Sequence, residues 1–384
     1  MRSLKKVLSV TTAAAMALAA ISPVSVFAED ATFKIGGIGP VTGAAAIYGQ
    51  AVKNGTELAI NEVNEAGGIN GTQVEYQFED DENDAEKSLN AYNALKDWGM
   101  NILVGTVTST PCVAVGNETV NDNMFQLTPS GSAAECVANP NVFRVCFSDP
   151  NQGVASAQYI GEHKIASKVA IIYDSSDVYS SGITQKFTEE AANQGIEIVS
   201  SEAFTADNNK DFSVQLQKAK DGGAELVFLP IYYTEASLIL SQANSMGFET
   251  QFFGCDGMDG ILGVENFDTS LAEGVMLLTP FSATSDDEKS KAFVDAYEAA
   301  NKDEVPNQFA ADAYDVIYAM QLAATDAQIT PDMSNEDISA AMSASMLNIE
   351  LDGLTGKAKW TEDGECDKEP KAFEIKDGAY VEMK

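Results

Sequence analysis

Hydroxyl side chains crowd two short segments, Gly105-Thr-Val-Thr-Ser-Thr-Pro111 and Leu127-Thr-Pro-Ser-Gly-Ser132. Each follows an apolar run, Ile102-Leu103-Val104 and Met124-Phe125, and each leads into a helix-start signal. In the first, Pro111 suits the first helical position, which predicts Thr110 at the N-cap and Ser109 just outside it. In the second, Ser132-Ala-Ala-Glu135 reads as a capping box. A single Ser or Thr at a helix start is ordinarily only a cap. Two such starts, delivered by neighbouring strands to one sheet edge, suit a small anion, because free backbone N–H groups and positive dipole ends converge on it.

Other chemistries find less support. His163 is the only histidine, and it lies between Glu162 and Lys164 on a polar helix face, so a Ser or Cys nucleophile has no other imidazole as its base. The five cysteines (Cys112, Cys136, Cys146, Cys255, Cys366) form no C-x-x-C pair, and no cluster has zinc spacing, so neither metal nor cofactor is expected. A bridge among Cys112, Cys136 and Cys146 fits the sequence as well as free buried thiols do. The acidic run Glu79 to Asp84 lacks the EF-hand spacing and central Gly. It reads instead as acids complementing a helix dipole. Gly37-Ile-Gly39 with Gly43 is a poor dinucleotide fingerprint: Pro40 interrupts the turn and the last Gly falls one residue late.

The elements that must position these residues alternate. Residues 1–28 read as a signal peptide: Arg2, Lys5 and Lys6, then an alanine-rich apolar run, then Val26-Phe27-Ala28 as cleavage site, with no lipid-accepting Cys beside it. Removing it takes away three positive charges and no acid, so the net charge of -35 becomes -38. Such acidity argues against nucleic acid and anionic membrane surfaces. No later window has the roughly 18 apolar residues of a membrane span, so an exported protein without membrane insertion is expected. Strand and helix patterns then alternate in two successive runs. The fold class predicted is α/β, two Rossmann-like lobes with mainly parallel sheets. The lobes are expected at 29–149 plus 281–355 and at 150–280 plus 356–384, with a hinge of three crossings at Asp149-Pro150, at Pro280 and near Gly356. Ligands of such sheets bind at the C-terminal strand ends, here the cleft between the lobes.

Several motifs now form a pattern: Ile38-Gly-Pro-Val-Thr-Gly43 with Tyr48-Gly49, Ala66-Gly-Gly-Ile-Asn-Gly71, Gly105-Thr-Val-Thr-Ser109, Thr128-Pro-Ser-Gly-Ser132, Tyr179 after Tyr173-Asp174, and Phe253-Gly-Cys-Asp256-Gly257. In order and over nearly the whole mature chain, they resemble the leucine/isoleucine/valine-binding proteins. These are type I periplasmic binding proteins that hand amino acids to ABC importers.

The resemblance implies a site. Ser109, the backbone of Ser130 and the hydroxyl of Ser132 would hold an α-carboxylate. Asp256 would pair with the α-ammonium, where valine-type binders usually carry Glu, and Tyr232 would face the same ammonium. Tyr48, Val107, Thr108 and Tyr179 match positions around the ligand side chain, with Phe309 as a further wall. Tyr233, next to Tyr232, should point the other way. The implied ligand is an aliphatic or aromatic amino acid, and the implied partner is a permease of the branched-chain amino acid type, served by a monomer. A sensory protein docking on a receptor would use the same fold and residues.

Overall fold

The computed structural model describes residues 31–302 and 304–383; the expected signal peptide lies outside them. The chain opens with β1 (Phe33–Gly39), α1 (Ala46–Glu65), β2 (Val74–Asp80), α2 (Ala85–Trp98), β3 (Ile102–Gly105), α3 (Ser109–Asn121), β4 (Phe125–Thr128) and β5 (Val142–Arg144). Strands β1 to β5 form a wholly parallel sheet in the order β2-β1-β3-β4-β5. The alternation then restarts with α4 (Asp149–Glu162), β6 (Lys168–Asp174), α5 (Val178–Asn193), β7 (Glu197–Phe204), α6 (Ser213–Asp221), β8 (Leu226–Leu229), α7 (Tyr233–Ser245), β9 (Gln251–Gly254) and β10 (Met276–Thr279). Helices α8 (Glu288–Ala300), α9 (Gln308–Asp326) and α10 (Asn335–Met346) follow, then β11 (Glu350–Gly353), β12 (Gly356–Lys359), β13 (Lys371–Lys376) and β14 (Ala379–Glu382).

The second sheet runs β14-β13-β10-β9-β8-β6-β7, parallel from β10 to β7, with β13 and β14 added antiparallel at one edge. The tail corrects one expectation. Strand β12, at Gly356, pairs with β11 in a separate ribbon, and the chain joins the second sheet only at β13. Trp360 Nε1 donates to Arg144 O at 2.7 Å, which ties residues 356–366 to the first sheet. The third passage therefore falls between Lys359 and Lys371, where Pro370 cannot continue a ladder.

Short, fully apolar strands such as Ile102-Leu103-Val104 and Leu226 to Leu229 are buried on both faces, as parallel sheets covered by helices require. Helix α9 packs along α1 in the first lobe. The approach is close enough that a Cβ on Gly55 would lie 2.3 Å from Ala310 O, so only glycine fits there. That packing fixes Tyr48 on α1 and Phe309 on α9 side by side.

The acidic run does more than complement a dipole. Asp84 caps α2 by accepting Lys87 N–H, and Asp80 accepts Val41 N–H at 2.9 Å, holding the loop that leads to Tyr48. Among the described residues no helix is long and apolar enough to cross a membrane.

Candidate functional site

Two sheet edges converge. From the first lobe, β3 ends at Gly105 and delivers Val107, Thr108 and Ser109, while β4 ends at Thr128 and delivers Ser130 and Ser132. From the second, β8 ends ahead of Tyr232 and β9 ends ahead of Asp256. Tyr179 lies in the first turn of α5. All ten residues singled out from the sequence, together with Gly257, line one cavity of about 230 Å³. Nine of the ten are buried and Tyr232 is half-buried, so the space is nearly sealed. Tyr233 does not line it; its hydroxyl accepts Ile47 N–H at 3.0 Å instead.

The helix starts differ from expectation. Helix α3 begins at Ser109 with Thr108 as its N-cap, which moves Pro111 to the third helical position. Thr110, predicted as the cap, instead donates to Asp177 Oδ1 at 3.0 Å across the cleft. The capping box at Ser132 does not form. Only a single 3₁₀ turn, Ala134–Val137, follows, and Ala133 caps it without a side-chain bond.

Arg144 supplies the physical reason. Its guanidinium donates to Gly131 O at 3.1 Å, to Ser132 O and to Ala133 O at 2.9 Å, fixing this segment as a loop. With its carbonyls turned toward Arg144, the loop directs Ser132 N–H and Ala133 N–H to Ser109 Oγ, at 3.2 and 3.1 Å. Ser109 thus accepts two bonds and keeps its own O–H to donate. Ser130 Oγ donates to Val107 O at 2.6 Å, and the buried Thr108 Oγ1 has no protein partner. This rim is short of an acceptor, as a carboxylate site would be.

The opposite rim is short of a cation. Asp256 is 4 % exposed, and no Lys or Arg lines the cavity. Tyr179 Oη donates to its Oδ1 at 2.8 Å. Burial pushes the carboxyl up to about 6, against the pull of Tyr179, Gln152 and the Gly257 N–H. Its backbone is held from both lobes: Asp256 N–H donates to Gln152 Oε1 at 3.0 Å, and Gln308 Nε2 donates to Asp256 O at 2.9 Å. A Cβ on Gly257 would meet Tyr179 Oη at 2.6 Å, so glycine there is what lets the phenol reach the acid.

Aromatic rings form the walls. Tyr48 and Phe309 lie 4.4 Å apart, Tyr179 stacks on Tyr232 at 5.0 Å, and Tyr48 meets Tyr232 edge-on at 5.5 Å. Tyr48 also bridges the lobes: its hydroxyl donates to Gly257 O and accepts Tyr233 N–H at 3.2 Å.

Arg144 and Gln152 are not among the residues expected from the sequence, and Gly257 was expected only as part of the motif around Asp256. Arg144 had a signal, since it is the only arginine after Arg2 in a chain of 58 acids, set in an apolar strand. Gln152 had none. His163 is exposed, stacks on Tyr159 at 4.2 Å and does not line the cavity. Among the described residues no cluster suits a metal ion. A larger groove of about 1350 Å³ runs beside Pro280 and Tyr380, but it is broad and open to solvent.

Two lobes around a small sealed cavity define a class, and the comparisons agree. The chain belongs to the periplasmic binding protein family, whose model matches residues 32–379; these are solute-binding proteins, not enzymes. A leucine-, isoleucine-, valine-, threonine- and alanine-binding protein of Pseudomonas aeruginosa is 31% identical over 76% of this chain and 77% of its own. A Leu/Ile/Val-binding protein of Rhizobium johnstonii is 28% identical over 94% of each chain. Among solved structures, a branched-chain amino acid transporter substrate-binding protein from Streptococcus pneumoniae, in complex with isoleucine, superposes with a TM-score of 0.82. It is 28% identical, with 92% of this chain and 100% of that one covered. The resemblance and the fold class read from the sequence therefore hold.

Proposed function

We propose that this protein is the extracytoplasmic binding component of an ABC importer and clamps one aliphatic L-amino acid between its lobes. The observation that carries the reading is the Asp256 carboxyl, without a cationic partner on one rim, facing the hydroxyls of Thr108 and Ser109 on the other. A zwitterion satisfies both at once, with its carboxylate on the donors and its ammonium on Asp256. Closure strengthens both pairs by removing water.

Size narrows the class. With four aromatic rings already closing the walls and nine of the ten lining residues buried, the site suits a compact side chain better than a further large ring. Of the aliphatic and aromatic amino acids considered from the sequence, the branched-chain and smaller ones fit best. The names of the relatives point the same way. The protein would work as an exported monomer, handing its ligand to a permease of the branched-chain amino acid type.

A thermal-shift screen of the twenty L-amino acids tests this. A rise in melting temperature confined to valine, leucine, isoleucine and their smaller relatives is expected. A response to none of the twenty would refute the proposal.

A further inference from the structure

Two thiols lie beside the anion-binding rim and have no part in the proposed binding. Cys112 sits in the first turns of α3, three residues past Ser109, and Cys136 sits in the 3₁₀ turn that follows Ser132. With Ala133 they form a small buried cluster of their own, and each thiol is the other's direct neighbour. Cys136 Sγ donates to Ser109 O at 3.6 Å, which places it on the first turn of α3. Cys112 Sγ lies under the loop opposite, where a Cβ on Gly131 would meet it at 2.7 Å. Cys255 instead faces Ser156 at 3.8 Å, and Cys366 pairs with Trp360.

We propose that Cys112 and Cys136 are the site of an intramolecular disulfide, formed as the exported chain folds. The bond would staple the start of α3 to the loop whose amides bind Ser109, so the two halves of the anion rim could not separate.

The chemistry is thiol–disulfide exchange with a low-molecular-weight disulfide. The Cys112 thiolate attacks one sulfur of that disulfide, breaks its S–S bond and expels one thiolate. The Cys136 thiolate then attacks the Cys112 sulfur, forms the protein S–S bond and expels the second thiolate. Two protein thiols are oxidised, one small disulfide is reduced to two thiols, and the protons lost by the cysteines go to the leaving thiolates. The sequence context favours the reaction, since disulfides persist in oxidising, extracytoplasmic surroundings. The geometry selects this pair because the two thiols share one small buried cluster.

The test is to unfold the full mature chain, refold it in a buffer of reduced and oxidised glutathione, quench with alkylating reagent under denaturing conditions, and map the peptides. The expected result is three alkylated thiols out of five, with one linked peptide joining Cys112 to Cys136. The C112A/C136A double variant, treated identically, should also show three alkylated thiols but no linked peptide. Reduction should lower the melting temperature of the wild type and leave that of the double variant unchanged. Five alkylated thiols in the refolded wild type, or a link through Cys146, Cys255 or Cys366, would overturn the proposal.

Discussion

Tyr179 Oη donates to Asp256 Oδ1 at 2.8 Å and in the same place accepts the Gly257 N–H at 2.9 Å. One phenol thereby aims the only carboxylate of the cavity and fixes the turn that carries it. The residues come from different elements, α5 and the turn after β9, and their meeting holds the Asp256 carboxyl against the cavity. Hydrogen bonds to charged groups contribute about 1.5–3 kcal/mol. Tyr179→Phe should therefore weaken amino acid binding by about tenfold to a hundredfold without unfolding the protein. Calorimetric titration measures it, and an unchanged affinity would mean that Asp256 is not held by Tyr179 for binding.

Binding should weaken in acid. Burial pushes the Asp256 carboxyl up to about 6, and only its charged form pairs with an ammonium. As pH falls through 6 the site takes up a proton that the ligand must displace, so affinity should drop by up to about tenfold per pH unit. Titrations between pH 5 and 8 should show a plateau above 7 and a decline below 6. A flat profile would place the ammonium elsewhere.

The ligand-free protein should behave in the opposite sense. Asp81, Asp256 and Asp259 are all pushed by burial up to about 6, above their ordinary value of 3.8. Between pH 4 and 6 the folded chain binds more protons than the unfolded one, so its stability falls as pH rises across that window. The net charge of -35, which self-repels more as acids ionise, acts in the same direction. Melting temperatures without ligand should be higher at pH 5 than at pH 8, and added amino acid should narrow the difference.

Arg144 should matter for structure although it does not line the cavity. It is fully buried, holds three successive carbonyls and pairs with Glu365 at 3.2 Å. Arg144→Met keeps much of the volume but strands Gly131 O, while Ser132 O and Ala133 O keep the Asp149 and Cys136 N–H groups, at a cost of about 1–3 kcal/mol. Arg144→Lys retains the charge without the planar fork and should recover only part of the loss. Chemical denaturation of both variants checks the order.

What could be read from the sequence, and what could not, follows from locality. Ser109, Ser130, Ser132 and Asp256 stand just past strand ends, where a short apolar run and a turn signal mark the sheet edge directly. Tyr48 and Phe309 came from the resemblance, since neither helix announces which face meets the other lobe. The cap is Thr108 and not Thr110 because Pro is tolerated throughout a first helical turn, so Pro111 alone does not mark the first position. The Ser132 box failed because a side chain twelve residues later, Arg144, claims the loop's carbonyls. A local pattern carries no trace of such a contact. In the tail β12 pairs with its neighbour β11 and only β13 reaches back to β10, a distant contact that no local signal near Gly356 reveals.

The central claim is that a zwitterion is held by its two ends. Calorimetry of the wild type and of Asp256→Asn, each against L-leucine and against 4-methylpentanoate, its analogue without the amine, tests this most directly. Wild type should bind leucine and lose at least a hundredfold with the analogue, a cost in the range of about 2–5 kcal/mol for breaking a buried charge pair. Asp256→Asn should bind leucine at least thirtyfold more weakly than wild type, with a smaller penalty for losing the amine. Equal affinity of the wild type for leucine and for the amine-free acid would contradict the account.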